Sequence, residues 1–176
     1  MHDSSYSRME YFRDAFLDSN KTLKILDIGS VDRSNNFNYG KLMNQPKWTY
    51  HGLDLYDGNN VDIVVKDAYD WKEITNETYD VIISGQVFEH AEFFWLTMEQ
   101  IKRVLKPNGL CCIIAPSSGP VHKNPYDCYR FTATGMKNLA KYVDFEILEY
   151  GTNLAPNSSP WYDSYLIAKK RSNKYI

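Results

Sequence analysis

The segment at residues 26–30, Leu-Asp-Ile-Gly-Ser, most constrains what this chain can fold into. It ends a short apolar run with a carboxylate and a glycine, and a second run ends at another carboxylate, Asp54. A later segment, residues 79–84, has the continuous apolar run expected of a strand that is buried on both faces of a parallel sheet. The chain is therefore predicted to be an α/β protein whose strands end at a polar edge.

Hydrophobic periodicity divides the rest of the chain into alternating strands and helices. The predicted strands are residues 23–28, 48–53, 61–65, 79–84, 110–115, 145–150 and 165–169. The predicted helices are residues 7–17, 39–44, 92–105 and 134–142; residues 31–38 and 106–109 are predicted turns and 151–160 a loop. This order predicts a doubly wound, mostly parallel seven-stranded sheet with a reversed edge.

Length and composition exclude several classes of protein. With 176 residues, the chain suits one domain, which we expect to comprise a leading helix in residues 1–20 and a body in residues 21–176. A net charge of −2 without a dense Lys/Arg cluster argues against a nucleic-acid partner. We expect no membrane span and no signal peptide, and three cysteines without metal-binding spacing indicate a cytoplasmic protein.

Carboxylates that follow predicted strands are placed to bind a ligand, because open α/β sheets bind ligands beyond the carboxyl ends of their strands. Asp54 can accept hydrogen bonds from two ribose hydroxyls and Asp67 from an adenine amino group, although each carboxylate alone can also cap a turn. Gly29 lets the backbone approach a ligand closely. A dinucleotide is disfavoured, because this turn has one glycine and an added carboxylate, Asp32, instead of G-x-G-x-x-G. The pattern favours an adenosyl cofactor.

Five segments of the chain resemble class I S-adenosylmethionine-dependent methyltransferases, in particular small bacterial members encoded among surface-polysaccharide genes. The segments are residues 26–32, 52–54, 79–90, 103–109 and 122–132. The last, His-Lys-Asn-Pro-Tyr-Asp-Cys-Tyr-Arg-Phe-Thr, is the most specific, because it lies outside the shared Rossmann-like cofactor fold. The first departs from the longer glycine-rich loop that is usual in these enzymes.

The resemblance implies S-adenosyl-L-methionine as the cofactor and O-methylation of a sugar or sugar nucleotide of capsule or lipopolysaccharide synthesis as the activity. It assigns the methionine moiety to Asp27, Gly29 and Ser30, the ribose and adenine to Asp54, Leu55, Asp67 and Ala68, and the sulfonium to Ser84, Gly85 and Gln86. It places Glu89 and His90 at the floor of the acceptor pocket.

Two histidines are candidates for the base that an oxygen acceptor needs, since an imidazole titrates near neutral pH. His90 follows the fourth strand, and His122 lies in the loop after the fifth. Tyr126, Asp127 and Arg130 are expected to contact the acceptor, and Arg130 can bind a phosphate or carboxylate through two parallel hydrogen bonds. An internal Asp127–Arg130 pair is equally open, and His90 can instead pack against the next helix.

No metal ion is expected, because no spacing forces His90, His122 and Asp127 to converge. Two other functions remain open: methyl transfer to another small phosphorylated or amino-bearing metabolite, and a cofactor-binding module without turnover. The sequence contains no evident cap domain over the acceptor site. A large acceptor, an open pocket and closure by the second subunit of a homodimer each fit that observation.

Overall fold

A computed structural model of the protein describes residues 3–32, 38–123, 125–153 and 160–172. In chain order its elements are α1 (Asp3–Phe16), β1 (Leu23–Ile28), α2 (Tyr39–Leu42), β2 (Trp48–Asp54), β3 (Ile63–Val64), β4 (Tyr79–Gly85), α3 (Phe94–Val104), β5 (Leu105–Pro116), α4 (Ala133–Tyr142), β6 (Phe145–Asn153) and β7 (Asp163–Lys170). The strands form one seven-stranded sheet in the order β3-β2-β1-β4-β5-β7-β6. β7 is antiparallel to both neighbours, whereas the remaining pairs are parallel. The predicted single-domain, mostly parallel, doubly wound sheet is confirmed.

Most predicted elements differ from the observed ones by a few residues at their ends, and the largest differences are at the 106–109 turn, in the third strand and at the start of α1, which begins at Asp3 and not at residue 7. The 106–109 turn lies within β5, because Tyr79 pairs with Leu105 and Val81 with Leu110, which leaves residues 106–109 as an unpaired bulge. The third strand is shorter than predicted, since only Ile63–Val64 pairs with β2. Residues 33–37 and 154–159 of the predicted turn and loop lie outside the described residues, and residues 151–153 extend β6.

Helices cover both faces of the sheet, which explains why β4 and the second half of β5 are apolar without alternation, whereas burial alternates along the edge strand β6. In β4, Val81 and Ile83 point to the layer formed by α1 and α2, and Ile82 points to the layer formed by α3 and α4. Each layer buries its helix residues almost completely, as Phe12 of α1 and Met98 of α3 illustrate. Within the described ranges, no helix combines the length and the apolar character needed to cross a membrane.

The strand order positions the site. β1 to β5 run parallel, so their carboxyl ends meet at one edge of the sheet. The chain first builds outward from β1 through β2 to β3 and then returns to the other side of β1 with β4. The strand order therefore reverses between β1 and β4, and this switch point is where open α/β sheets bind ligands.

Candidate active site

Asp27 is a buried carboxyl group in β1, close to the switch point. The Tyr50 hydroxyl of the neighbouring strand donates a hydrogen bond to its Oδ2 over 2.6 Å. Burial raises the pKa of Asp27 to about 7, against the lowering effect of this hydrogen bond, and the nearby charge of Asp54 raises it further. A carboxyl group that is this far desolvated gains most from a neighbouring cation.

The turn after β1 is shaped by Gly29. Its φ is +74°, and a Cβ there would lie 2.2 Å from Cγ2 of Val87, so a side chain does not fit. The N–H groups of Gly29 and Ser30 donate to the carbonyl of Leu53 over 2.8 and 3.1 Å, which fastens the turn to the end of β2. Ser30 Oγ is buried and has no hydrogen-bond partner among the described residues. A polar group of a ligand would satisfy that hydroxyl.

Asp54 ends β2 with a half-buried carboxylate. Its Oδ2 accepts from the N–H of Val31 and its Oδ1 from the N–H of Tyr56, each over 3.1 Å. The carboxylate thus orders two turns, yet each oxygen retains lone-pair capacity for a ribose hydroxyl. The adjacent Leu55 is 45% exposed and offers an apolar surface beside it.

Asp67 and Ala68 follow β3 and also take part in local turns. Asp67 is exposed, and its Oδ1 accepts from the N–H of Tyr69 over 2.8 Å. The carbonyl of Ala68 accepts from the indole N–H of Trp71 over 3.0 Å. The turn-capping alternative is therefore present at Asp67, whose second oxygen stays open to solvent or ligand.

The end of β4 carries the three residues assigned to the sulfonium. Ser84 is fully buried, and a Cβ at Gly85 would lie 2.1 Å from the buried Tyr39 hydroxyl. Gln86 has a φ of +63°, and its Nε2 donates to Asp163 Oδ1 over 2.9 Å. Tyr39 packs closely against one side of the Gly85 backbone, and the other side faces the switch point.

A polar depression of about 400 Å³ lies near the turn after β1. Its lining consists of Asp32, Asn38, Gly40, Lys41, Asn44, Asn59 and Asn60. None of the residues assigned to the cofactor lines it. The assigned residues lie instead along the ends of β1, β2 and β4 and just after β3.

Glu89 occupies the turn after β4 and is fully buried. Neither of its carboxylate oxygens has a hydrogen-bond partner among the described residues, and burial raises its pKa to about 8. Its backbone carbonyl accepts from the N–H groups of Cys128 and Tyr129 over 2.7 and 3.2 Å. These bonds fasten the loop after β5 directly to the turn. A buried carboxyl group without a partner marks a candidate functional position.

The structure brings His90 and His122 together at this turn. Nδ1 of His90 lies 2.5 Å from the Tyr126 carbonyl, so the ring donates from Nδ1 and its Nε2 is the unprotonated nitrogen of the neutral form. That Nε2 is 3.6 Å from Oε1 of Glu89. The His122 ring stands edge-on to the His90 ring, with 4.9 Å between centroids, and to Trp161 at 5.1 Å.

Asp127 and Arg130 form the internal pair that the sequence left open. The guanidinium donates to both Asp127 oxygens, over 2.5 and 2.9 Å, and also to the carbonyls of Pro120 and Tyr129. These hydrogen bonds hold the pKa of Asp127 well below its usual range. Asp127 Oδ2 also accepts a hydrogen bond from the backbone N–H of His122 over 2.7 Å. The pair therefore shapes the loop that presents His122.

Aromatic side chains border the histidines. Tyr126 is 55% exposed, and Trp161 is half-buried between His122 and Arg130, whose guanidinium carbon lies 5.7 Å from the Trp161 ring. Sequence reasoning missed Trp161, because it stands in a polar loop without a motif. It also missed Tyr50, although its alternating position in β2 puts it one strand from Asp27.

Asp163 is the third residue that sequence reasoning missed. It begins β7 and is fully buried, where it accepts from Gln86 and from the hydroxyl of Ser4 in α1. An acidic residue that opens an otherwise apolar strand was the available signal. Through it, the first helix contacts the floor of the site.

A family model described as a methyltransferase domain matches residues 31–113, which include the ends of β2, β3 and β4. No curated protein sequence matches the chain. Solved structures share its fold. One is the 1,6-didemethyltoxoflavin-N1-methyltransferase of Burkholderia thailandensis with bound 1,6-didemethyltoxoflavin and S-adenosylhomocysteine, at 14% identity and a TM-score of 0.73, covering 97% of this chain and 80% of that one.

A Bacillus halodurans protein described as a methyltransferase is similar over 93% of this chain and 98% of its own, with 11% identity and a TM-score of 0.68. The [4+2]-cyclase SpnF shares the fold as well, with 14% identity, a TM-score of 0.70 and coverage of 93% of this chain and 80% of that one. These likenesses show the fold.

Proposed function

We propose that the protein transfers a methyl group from S-adenosylmethionine to a hydroxyl of a small, carbohydrate-like acceptor, such as a sugar or sugar nucleotide of surface-glycan synthesis in the cytoplasm. The convergence of Glu89 and His90, in the turn after β4, with His122, in the loop after β5, carries the proposal. A proton-accepting cluster then adjoins Ser84, Gly85 and Gln86. The family match and the neighbour that holds S-adenosylhomocysteine support the cofactor.

The residues at the strand ends fit this cofactor. Asp54 would accept from the ribose hydroxyls through its remaining lone pairs, with Leu55 beside the adenine, and Asp67 and Ala68 would bind the adenine edge. Ser30 Oγ is an orphaned polar atom at the methionine end, where Asp27 would face the ammonium group across the Gly29 turn. When bound, S-adenosylmethionine supplies a methyl group on a good leaving group.

The histidines would supply the proton transfer. His90 Nε2 takes the proton of the acceptor hydroxyl, because the Tyr126 carbonyl keeps the proton of the same ring on Nδ1. Glu89 stabilises the imidazolium that forms, at 3.6 Å. The residues of this cluster would hold the acceptor oxygen toward the methyl group that S-adenosylmethionine supplies when bound. Alignment supplies much of the acceleration in such a methyl transfer.

The lining of the proposed pocket supports this acceptor class. Tyr126 and Trp161 offer aromatic faces on which an apolar sugar face can stack. Asp127 and Arg130 bond mainly to each other and would act by holding the loop in shape. A ring with hydroxyl groups therefore suits this pocket better than an acceptor that needs a free guanidinium.

Calorimetric titration with S-adenosylmethionine and S-adenosylhomocysteine tests the cofactor. We expect one micromolar site per chain, and Asp54→Ala should weaken it about tenfold or more, because hydrogen bonds to a charged carboxylate are lost. Asp14→Ala, which removes an exposed carboxylate on α1, should leave the affinity within about twofold. A folded protein that binds neither ligand would overturn the proposal.

Release of S-adenosylhomocysteine with a panel of sugars and sugar nucleotides tests the reaction. Removal of a general base lowers the rate by about 10²- to 10⁴-fold, which we expect for His90→Ala. His51→Ala is the matched control, since His51 lies in β2 and contacts Tyr79 outside the site. An active wild type whose rate survives both His90→Ala and His122→Ala contradicts the assigned base.

A further inference from the structure

We propose that Glu89, His90 and His122 form a binding site for a divalent transition-metal ion, with zinc as the best-fitting metal. One ligand atom of each residue lies within 4.8 Å of those of the other two. Two imidazoles and one carboxylate form the protein ligand set of zinc sites that keep a fourth position open. Glu89 thus takes the place that the sequence analysis considered for Asp127.

The geometry at His90 already suits a metal ligand. Two ligand atoms on one tetrahedral zinc ion lie about 3.4 Å apart, given bonds of about 2.1 Å. The observed distance between His90 Nε2 and Glu89 Oε1 is 3.6 Å. The hydrogen bond from Nδ1 to the Tyr126 carbonyl leaves the lone pair on Nε2 and fixes the ring, which is the usual outer partner of a ligating histidine.

His122 approaches the same point from the loop after β5. Its Nδ1 lies 3.6 Å from Asp127 Oδ2, and its backbone N–H donates to that same oxygen. Arg130 in turn fixes Asp127 through two hydrogen bonds. A carboxylate beside the imidazole is a further outer partner of the kind that orients metal ligands. The His122 side chain is 38% exposed, so rotation of its ring can shorten the distance to the other two ligands.

The local charge also favours a cation. Glu89 is fully buried, and its two carboxylate oxygens lack hydrogen-bond partners within the described part of the chain. Asp127 and Asp163 act on it with further negative charge, against the guanidinium of Arg130, which is already paired with Asp127. A buried carboxylate is costly unless it is paired or coordinates a metal. An ion beside Glu89 offsets that cost.

The role of the ion rests on the proposed function, whereas its binding does not. An acceptor hydroxyl in the open position would lose its proton to solvent water, because coordination lowers the pKa of a bound hydroxyl. The oxygen electron pair would then form the bond to the methyl carbon, and the carbon–sulfur bond would break with its electron pair on sulfur. In the ion-bound protein His90 would act as a ligand, and this route would replace the proton transfer to His90 Nε2 that is proposed above for the ion-free protein.

Titration of tag-free, chelator-treated protein with Zn²⁺ and Co²⁺, in the absence of cofactor, tests the site. We expect one ion per chain, visible absorption of the Co²⁺ form, and much weaker binding of Mg²⁺, since imidazole nitrogen favours transition metals. Glu89→Gln, a substitution of equal shape, and His122→Ala should each lower the affinity for Zn²⁺ by about tenfold or more. Thermal unfolding verifies that both variants are folded.

Two controls exclude adventitious binding. Cys128→Ser removes the exposed thiol nearest the cluster, and His51→Ala removes an imidazole outside it. Both should keep the Zn²⁺ affinity within about twofold. Absence of Zn²⁺ binding by the wild type would overturn the proposal, as would loss of binding in either control or unchanged binding in Glu89→Gln.

The metal site and the methyl transfer can fail separately. Methyl transfer by a protein that binds no Zn²⁺ would overturn the metal site and leave the proposed function intact. Zn²⁺ binding without transfer to any acceptor would support the site and count against the proposed function. A rate that falls on chelation and returns with Zn²⁺ would support both.

Discussion

At the scale of single residues, the fold buries the carboxyl group of Asp27, where its charged form is strongly disfavoured. Asp27 is 2% exposed, and its pKa is raised to about 7 from 3.8, chiefly by burial. The folded protein therefore binds this proton more tightly than the unfolded chain does. Stability from the protonated carboxyl is complete below a pH of about 4 and is lost as the pH rises through about 7. The ionised carboxylate of Asp27, which we assign to cofactor binding, thus lowers the stability of the free protein.

Asp27→Asn should remove this pH dependence. The difference in free energy of unfolding between variant and wild type should rise in favour of the variant by up to about 4 kcal/mol between a pH of about 4 and about 8, since each pKa unit corresponds to about 1.4 kcal/mol. The amide can still accept from Tyr50. Urea unfolding at several pH values measures the difference, and Asp14→Asn, at an exposed acid, serves as control.

The same variant should bind S-adenosylmethionine more weakly, because the charge that faces the ammonium group is lost. A stability difference that does not change with pH would show that Asp27 is not the buried acid described here. Stabilisation together with full cofactor affinity would separate Asp27 from the cofactor and leave its burial unexplained by function.

At the scale of elements, the loop after β5 does most to complete the acceptor side. It carries His122, Tyr126 and the Asp127–Arg130 pair, and it bonds to the carbonyl of Glu89. Hydrogen bonds hold the part of the loop around His122, whereas Tyr129 and Phe131 at its end pack against the apolar layer of α3 and α4. The shape of the acceptor side therefore depends strongly on one guanidinium.

Arg130→Lys should lower kcat/KM by about 10- to 100-fold, because an ammonium group cannot make the paired bonds to Asp127 and also reach two carbonyls. The thermal midpoint should change little, since Arg130 is partly exposed and its hydrogen bonds go to polar groups of its own loop. Steady-state kinetics and thermal unfolding measure the two effects. Arg171→Lys, at an exposed ion pair with Asp144, is the matched control. Equal activity of both variants would contradict this role.

The elements differ in how well the sequence predicts them. β1 begins and ends as predicted, because a short, mainly apolar run that stops at a glycine turn marks both of its ends locally. The bulge at residues 106–109 was predicted as a free turn, since Pro and Gly signal a turn whether or not β5 has already begun. Sequence reasoning favours local patterns, and the onset of pairing between β4 and β5 is not local.

The sequence likewise predicts one part of the candidate site and not the other. The residues assigned to the cofactor follow their own strands, so the parallel sheet alone brings them to one edge. The contact between Glu89 and His122 instead depends on how the loop after β5 packs against the turn after β4, which no spacing in the chain determines. Burial of Glu89 likewise appears only in three dimensions.

At the scale of the whole molecule, the candidate site residues lie along one edge of the sheet. Chemically distinctive groups gather at the carboxyl ends of β1 to β5, whereas β6 lies at the opposite side edge, next to β7. β3, at the other side edge, pairs with β2 through only Ile63 and Val64 among the described residues. Its end carries an assigned adenine contact. We call the side of the sheet that carries β3 and the ends of β1 and β2 the cofactor edge. In the free protein, we expect it to open locally more readily than the side that carries β6.

Hydrogen exchange with and without S-adenosylhomocysteine should map this difference. At short labelling times, which report local opening, the ligand should slow exchange at residues 29–32, 53–56 and 63–68. Those segments include the N–H groups of Gly29, Ser30 and Tyr56, which donate hydrogen bonds to Leu53 and Asp54 at the end of β2. Ile147–Glu149 of β6 should not change, because ligand contacts on the far side of the sheet do not reach it.

Asp54→Ala should lose the protection at all three segments, since it weakens the ligand that produces it. Slower exchange spread evenly over β6 and the cofactor edge would mean that the ligand acts only through global unfolding, by about 2.7 kcal/mol at a hundredfold excess over Kd. Slower exchange confined to β6 would place the ligand on the wrong side of the sheet. A change limited to the three segments ties the cofactor to the carboxyl ends of β1, β2 and β3, because the segments are separate in the chain and meet only where these strands end together.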